Sequence, residues 1–306
     1  MSWIHAFESM CFLIVAIMLA DLVRKKDYDS LFTFGSAAIV GFVMELLAVA
    51  VTDIYYYNPN FWLNLGTQPK QFPVFGGFMW GGLTVYGIKL GQKLRFSRPM
   101  TALAAGMMIV TMDILLDVVA IRLDGGFWVW VGKAINTQIT QHTFMSVIWV
   151  NFLGYMIETP TVVWLTLRKR DQVPAADLRR QALHMVRIAA GAILVTAAGS
   201  LIALGLNALT DDWFSCVAFV LLWGALACLM VRQAVRVRLR VLPAAKWDVP
   251  MTIFWAAMYV YCLAACAALS LPKALFTVGA VFAGATLYLS VSESAECIPE
   301  SPFERS

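Results

Sequence analysis

Charged residues and histidine are both scarce in this sequence. Charged side chains make up 14% of its 306 residues, whereas soluble domains carry about 25%. Only three histidines are present, too few for the histidine-rich di-iron site of a membrane desaturase or oxygenase. The sequence also lacks a Gly-x-Gly-x-x-Gly turn, a Walker loop and a Gly-x-Ser-x-Gly motif. These absences argue against nucleotide, flavin and serine-hydrolase chemistry.

Long apolar runs make up most of the chain. Hydrophobic residues account for 60% of the sequence, and the mean hydropathy is +0.74. Because a helix needs about 20 apolar residues to cross a bilayer, we expect an all-α, polytopic membrane bundle of eight or nine transmembrane helices. The predicted spans cover residues 3–23, 31–51, 72–90, 100–121, 143–167, 183–206, 214–231, 250–269 and 273–291.

Basic residues mark one side of the predicted membrane. Most of the 23 lysines and arginines follow alternate spans, at 24–26, 89–98, 168–187 and 232–246. Cytoplasmic loops carry the excess of basic residues, so the N-terminus is predicted outside and the C-terminus, with a short tail, in the cytoplasm. The net charge of +4 is therefore a topology signal, and we expect no nucleic-acid partner.

Acidic residues divide the chain into unequal halves. Residues 1–170 hold the acids that lie within spans, which are Glu45, Asp113, Asp117 and Glu158. Residues 183–306 hold almost nothing ionisable in theirs. We predict an acid-bearing, catalytic-like half and an apolar accessory half, which could support packing or a homo-oligomer. The basic stretch 168–188 is predicted to link them.

The candidate chemistry lies on three of the spans. Asp113 and Asp117, four residues apart, share one helix face, and acids within spans usually have a function. Glu45 and Asn151 belong to the outer halves of their spans, so we expect all four residues to converge toward the outer leaflet. Two neighbouring carboxyls in apolar surroundings repel each other, so one is expected to hold a proton at neutral pH and act as a general acid. No second acid cluster accompanies them, and we expect neither a metal nor a cofactor.

Aromatic residues crowd the two outward loops, 53–66 and 123–132. One interpretation is an interfacial aromatic belt, and the other is a roof over a cavity for a long apolar ligand. Aromatic faces near the acids could stabilise a carbocation. The candidate substrate-binding residues are Tyr56, Trp80, Trp128, Trp130 and Trp149.

Several of these segments, taken in order, resemble a known family. DILLDVVAIRLDGGFWVW (113–130), followed by VNFLGY (150–155), is similar to the membrane carotenoid-biosynthesis family that includes the bacterial and archaeal carotenoid hydratases. MELLAV (44–49), the tyrosine run 55–57 and FPVF (72–75) are similar to its upstream segments. The resemblance implies cofactor-independent hydration of the terminal double bond of an acyclic carotenoid in a bacterial or archaeal cell membrane. Val118 stands where that family usually has proline.

The residues alone leave other functions open. An isoprenoid cyclase would begin with the same protonation, after which an internal alkene instead of water would capture the cation. A proton-coupled transporter also needs acids within the membrane, although such proteins usually show repeated halves. A non-catalytic assembly subunit is the third alternative. Under the enzyme hypotheses Asp113 or Asp117 is the proton donor, while Glu45 and Asn151 orient water or tune the acid.

Overall fold

The structure, a computed structural model, describes residues 2–169 and 177–294. Within them the chain forms nine long helices joined by short connections. Their bounds are α1 Trp3–Lys25, α2 Tyr28–Val51, α3 Val74–Lys93, α4 Arg98–Ala120, α5 Trp149–Lys169, α6 Leu178–Thr210, α7 Trp213–Arg236, α8 Val249–Ala268 and α9 Lys273–Val291. The predicted tail after residue 294 lies outside the described residues.

The predicted all-α membrane bundle is confirmed. Seven of the helices in the described part of the chain are long and apolar enough to cross a membrane. The two that fall short, α3 and α5, are long but less apolar: α3 carries six glycines, and α5 carries Glu158 with Pro160. Both lie within the bundle, where contacts with protein replace contacts with lipid. The chain is thus a multi-pass integral membrane protein by helix length and hydropathy.

Glycines allow α2 and α3 to approach closely. A Cβ atom added to Gly41 would lie 2.4 Å from the Trp80 ring, and one added to Gly77 would lie 2.4 Å from the Phe42 ring. Real Cβ atoms do not come so close to ring atoms, so each aromatic ring occupies space that only glycine leaves. This packing fixes Trp80 on α3 beside the middle of α2.

Two sequence-based boundaries are wrong. The fifth helix was predicted from residue 143, but residues 143–148 form a hairpin of β5 (Thr143–Phe144) and β6 (Val147–Ile148). Its turn holds Met145 and Ser146 at positive φ, which a helix cannot contain, so α5 begins at Trp149. The predicted linker 168–188 is also partly helical: α6 begins at Leu178, and residues 170–176 lie outside the described part of the chain.

The two aromatic loops meet at the C-terminal ends of α2 and α4. Strand β1 (Tyr55–Tyr57) pairs antiparallel with β4 (Trp128–Trp130), and β2 (Asn64–Leu65) pairs with β3 (Phe72–Pro73). Buried Glu8 on α1 accepts hydrogen bonds from the backbone N–H groups of Trp62 and Leu63, at 2.7 and 3.1 Å. The loops are therefore an ordered layer tied to the first helix.

The later helices surround the earlier ones. Helix α6 packs against α2 and α5, α8 against α1 and α4, and α9 against α8. Many large apolar side chains on α6, α7 and α9 are exposed, as expected where helices face lipid. A last strand pair, β7 (Leu239–Val241) with β8 (Ser292–Ser294), lies at the end of α9. The division into a catalytic-like and an accessory half stays a prediction.

Candidate functional site

The acid pair lies in the interior of the bundle. Asp113 and Asp117 are each only 2% exposed, because α4 contacts helices on several sides, including α3, α5 and α8. One helical turn separates them, as the spacing predicts. Each of the two has a hydrogen-bonding partner on α5.

Helices α4 and α5 form a ladder of two polar pairs. The Asn151 side-chain N–H donates to Asp117 Oδ2, and the Tyr155 hydroxyl donates to Asp113 Oδ1 at 3.0 Å. Because the helices are antiparallel, two acids four residues apart meet two partners four residues apart. Tyr155 was missing from the predicted site, although its spacing from Asn151 was a signal that could have identified it.

The other oxygen of Asp113 lacks a donor among the described residues. Asp113 Oδ2 is fully buried and accepts no hydrogen bond there, and the neighbouring side chain is the carboxyl of Asp117. An unpaired buried carboxylate oxygen costs free energy. A single proton held between the two carboxyls would satisfy this oxygen and remove the repulsion between two negative charges.

Glu45 is held by two tyrosines of β1. The Tyr55 and Tyr57 hydroxyls both donate to Glu45 Oε2, at 2.5 and 2.9 Å. Burial, reinforced by the charge of Glu45, raises the pKa of both tyrosines well above the ordinary value, so both keep their protons and act as donors. Two hydroxyl donors on one oxygen stabilise the carboxylate form of Glu45 and offset part of the cost of burying it.

Tyr56, the predicted substrate-binding residue of this run, does not join the cluster. Successive side chains of a strand point to opposite faces, and Tyr56 is 42% exposed while its two neighbours face Glu45. The alternation of side chains along the strand follows from its local geometry. Which of the two faces turns toward Glu45 depends on the pairing of β1 with β4.

A small cavity joins the two acidic groups. It measures about 60 Å³, and Glu45, Asp113, Tyr57, Tyr155 and the two tryptophans Trp80 and Trp128 line it together with apolar side chains. Trp80 stacks on Tyr155 with ring centroids 4.8 Å apart. Asp117 does not line the cavity. At about 10–15 Å³ for each water, the cavity of about 60 Å³ has room for about four to six waters.

Two predicted tryptophans lie away from the cavity. Trp130 is buried and packs on Tyr55, with ring centroids 5.0 Å apart. Trp149 is buried against Phe152 and Phe219, and its indole N–H donates to the Thr140 carbonyl. The structure thus brings Trp80 and Trp128 to the acids, and it places Trp130 and Trp149 in neighbouring packing.

Comparison with known proteins adds no assignment. In the part of the chain that the structure describes, no group of three or more His, Cys, Asp or Glu side chains is arranged to hold a metal ion. The chain matches no protein-family model, no curated protein and no solved structure.

Proposed function

We propose that this protein is a membrane enzyme that adds water to the terminal double bond of an acyclic carotenoid or related isoprenoid, without a cofactor. One observation carries the proposal. Asp113, one member of an acid pair suited to holding a proton, and Glu45, a carboxylate held by two tyrosines, line the same small cavity. Hydration needs a proton donor and a water-binding base at a shared reaction centre. The family resemblance of residues 40–160 supports the same reaction.

The reaction begins at Asp113, the member of the pair that lines the cavity. Its carboxyl gives a proton to the less substituted carbon of the terminal double bond, and the π electrons form the new C–H bond. A tertiary cation results on the neighbouring carbon. The Tyr155 hydroxyl stabilises the carboxylate that Asp113 becomes through its hydrogen bond, while the negative charge left on the acid pair and the faces of Trp80 and Trp128 stabilise the cation.

Glu45 completes the reaction by binding water. Water held by this carboxylate attacks the cation through its oxygen and forms the C–O bond of a tertiary alcohol. The proton that the water loses passes to Glu45 and returns to the acid pair, so no proton is consumed over the cycle. Since the cavity admits only small groups, the end of the substrate chain enters it and the remainder lies among the neighbouring apolar side chains.

Pigment analysis in a lycopene-producing bacterial host tests the proposal. The wild type is expected to give a product heavier by one water. Asp113→Asn and Asp117→Asn are each expected to lower its yield by about 100-fold or more at equal expression, the usual effect of losing a general acid. Asp53→Asn is the matched control, because the Asp53 side chain is 90% exposed, and it should leave the yield unchanged.

Other results of the pigment analysis would change or refute the proposed function. A product of unchanged mass, lost in the same two variants, would replace hydration by cyclisation. Unchanged lycopene with well-expressed wild type would refute this substrate and favour the proton-coupled transporter. Product that survives in both aspartate variants would refute the acid pair as the proton source.

A further inference from the structure

A second group of buried polar side chains lies deeper in the bundle and is not used by the mechanism above. Glu158 is 8% exposed, and Thr159 and Thr196 are each 1% exposed. Among the described residues, Glu158 Oε1, Thr159 Oγ1 and Thr196 Oγ1 are buried without any hydrogen-bond partner. Buried polar atoms are nearly always paired with protein or with ordered water, so three at one level of the bundle indicate a site for water.

Helix register places the three side chains at one level of the bundle. Gly199 on α6 lies against Ile157 on α5, and Gly191 approaches Leu165. In this antiparallel register Thr196 is level with Thr159. Glu158 lies one helical turn inward of Tyr155 and within electrostatic range of Glu45, which lines the reaction cavity. We call Glu158, Thr159 and Thr196 the inner polar cluster.

On the side of the basic loops, the ends of four helices border a larger pocket. It measures about 170 Å³ and lies between α2, α3, α5 and α6, and its lining includes the polar side chains of Ser36, Lys89, Thr166 and Gln181. By helical rise, Thr166 is only about 10 Å from Thr159 along α5. Polar groups therefore border both ends of a short seam between α2, α5 and α6.

By the same register, a cluster of small apolar side chains lies at the level between the pocket and the inner polar cluster. It consists of the buried residues Ala37, Val40, Val162, Ala189 and Ala192. Alanine and valine leave less bulk between helices than leucine or phenylalanine would. We call these five residues the apolar layer.

We propose that the α2–α5–α6 seam admits water from the basic side of the membrane to the reaction cavity, with the inner polar cluster as its binding site and the apolar layer as its barrier. Hydration consumes one water in each turnover, and an apolar bilayer supplies little. The inference rests on the proposed function only for the fate of the water. The presence and exchange of water in the seam are properties of the protein without substrate.

Radiolytic labelling of the full chain in lipid nanodiscs tests the seam directly. After rapid mixing into ¹⁸O-water under argon, an X-ray pulse oxidises side chains beside bound water, and mass spectrometry reads the isotope. The reporter is Met44, which packs against the apolar layer. The oxygen added to Met44 is expected to come from water. The fraction of it that is ¹⁸O should therefore rise with the mixing time.

Three variants set the expected directions. Ala192→Leu thickens the apolar layer and should slow isotope exchange at Met44 several-fold, while Val162→Ala thins it and should speed exchange. Ala190→Leu is the matched control, because Ala190 faces outward from the same helix, and it should change nothing. The opposite signs of the first two variants distinguish a barrier from general damage to the fold.

The outcomes separate the two proposals. Absence of labelling at Met44, or equal exchange in all three variants, overturns the water route and leaves the hydration proposal standing. Exchange as expected supports the route whether or not lycopene is hydrated. In the lycopene host, Ala192→Leu should then lower the yield of alcohol relative to isomerised lycopene, whereas Ala190→Leu should not.

Discussion

The tyrosine run offers the sharpest test of the Glu45 arrangement, because three identical neighbours occupy different environments. Tyr55→Phe and Tyr57→Phe each remove one O–H donor from Glu45 Oε2 and change little else. Hydrogen bonds to charged groups contribute about 1.5–3 kcal/mol, so each variant should lower the free energy of unfolding by about 2 kcal/mol. Tyr56→Phe is the matched control, since Tyr56 is 42% exposed, and a surface change should stay within about 0.5 kcal/mol.

The variant that combines Tyr55→Phe with Tyr57→Phe tests whether the two hydroxyls share one acceptor. Both hydroxyls donate to the same oxygen, so the first loss leaves Glu45 with one donor on that atom and the second loss leaves none. The combined cost is therefore expected to exceed the sum of the single costs, as is common for groups that share a partner. Reversible unfolding in mixed micelles measures all four variants. Equal costs for Tyr56→Phe and Tyr57→Phe, or values below about 0.5 kcal/mol throughout, would refute the arrangement.

The same variants predict a pH dependence. Burial raises the pKa of Tyr55 and Tyr57 well above 10.0, so above pH 10 the unfolded chain loses protons that the folded protein keeps. Stability should then fall by about 1 kcal/mol for each such tyrosine between pH 10 and 11, where the unfolded tyrosine goes from half to mostly ionised, and by about 1.4 kcal/mol per pH unit above that. The double phenylalanine variant should therefore lose about 2 kcal/mol less than the wild type between pH 10 and 11. Parallel slopes would contradict the raised pKa values.

Two further predictions concern the packing that positions the site. Glu8→Gln leaves one of two buried backbone donors poorly paired, so it should lower the free energy of unfolding by about 1.5–3 kcal/mol and speed proteolysis of the loop that contains Trp62 and Leu63. Resistance to proteolysis equal to that of the wild type would show that other contacts hold the loop. Gly41→Ala forces its new methyl group into the Trp80 ring and should cost about 1–3 kcal/mol. Gly224→Ala meets nothing within 4 Å and should be neutral or stabilise by up to about 1 kcal/mol; similar effects of the two alanines would show that α2 and α3 do not need the close approach.

Much of the fold could be read from the sequence because its causes are local. Apolar runs of membrane-spanning length predict the helices, and i, i+4 spacing places Asp113 and Asp117 on one face. The start of the fifth helix was predicted wrongly because a turn precedes it. Met145 and Ser146 adopt positive φ in a hairpin, and apolar residues around them extended the predicted helix too far.

The candidate site depended on contacts that a linear pattern does not contain. The sequence by itself determined that the chain spans a membrane many times and carries two acids on one face of a helix, since hydrophobicity and helical period are properties of neighbouring residues. Only the tertiary structure decided that Tyr55 and Tyr57 face Glu45 while Tyr56 faces away, because β1 pairs with a strand more than 70 residues later in the chain. It also decided that Tyr155 meets Asp113 and that Glu158 borders a seam, because helix register and the order of packing are set by the whole bundle.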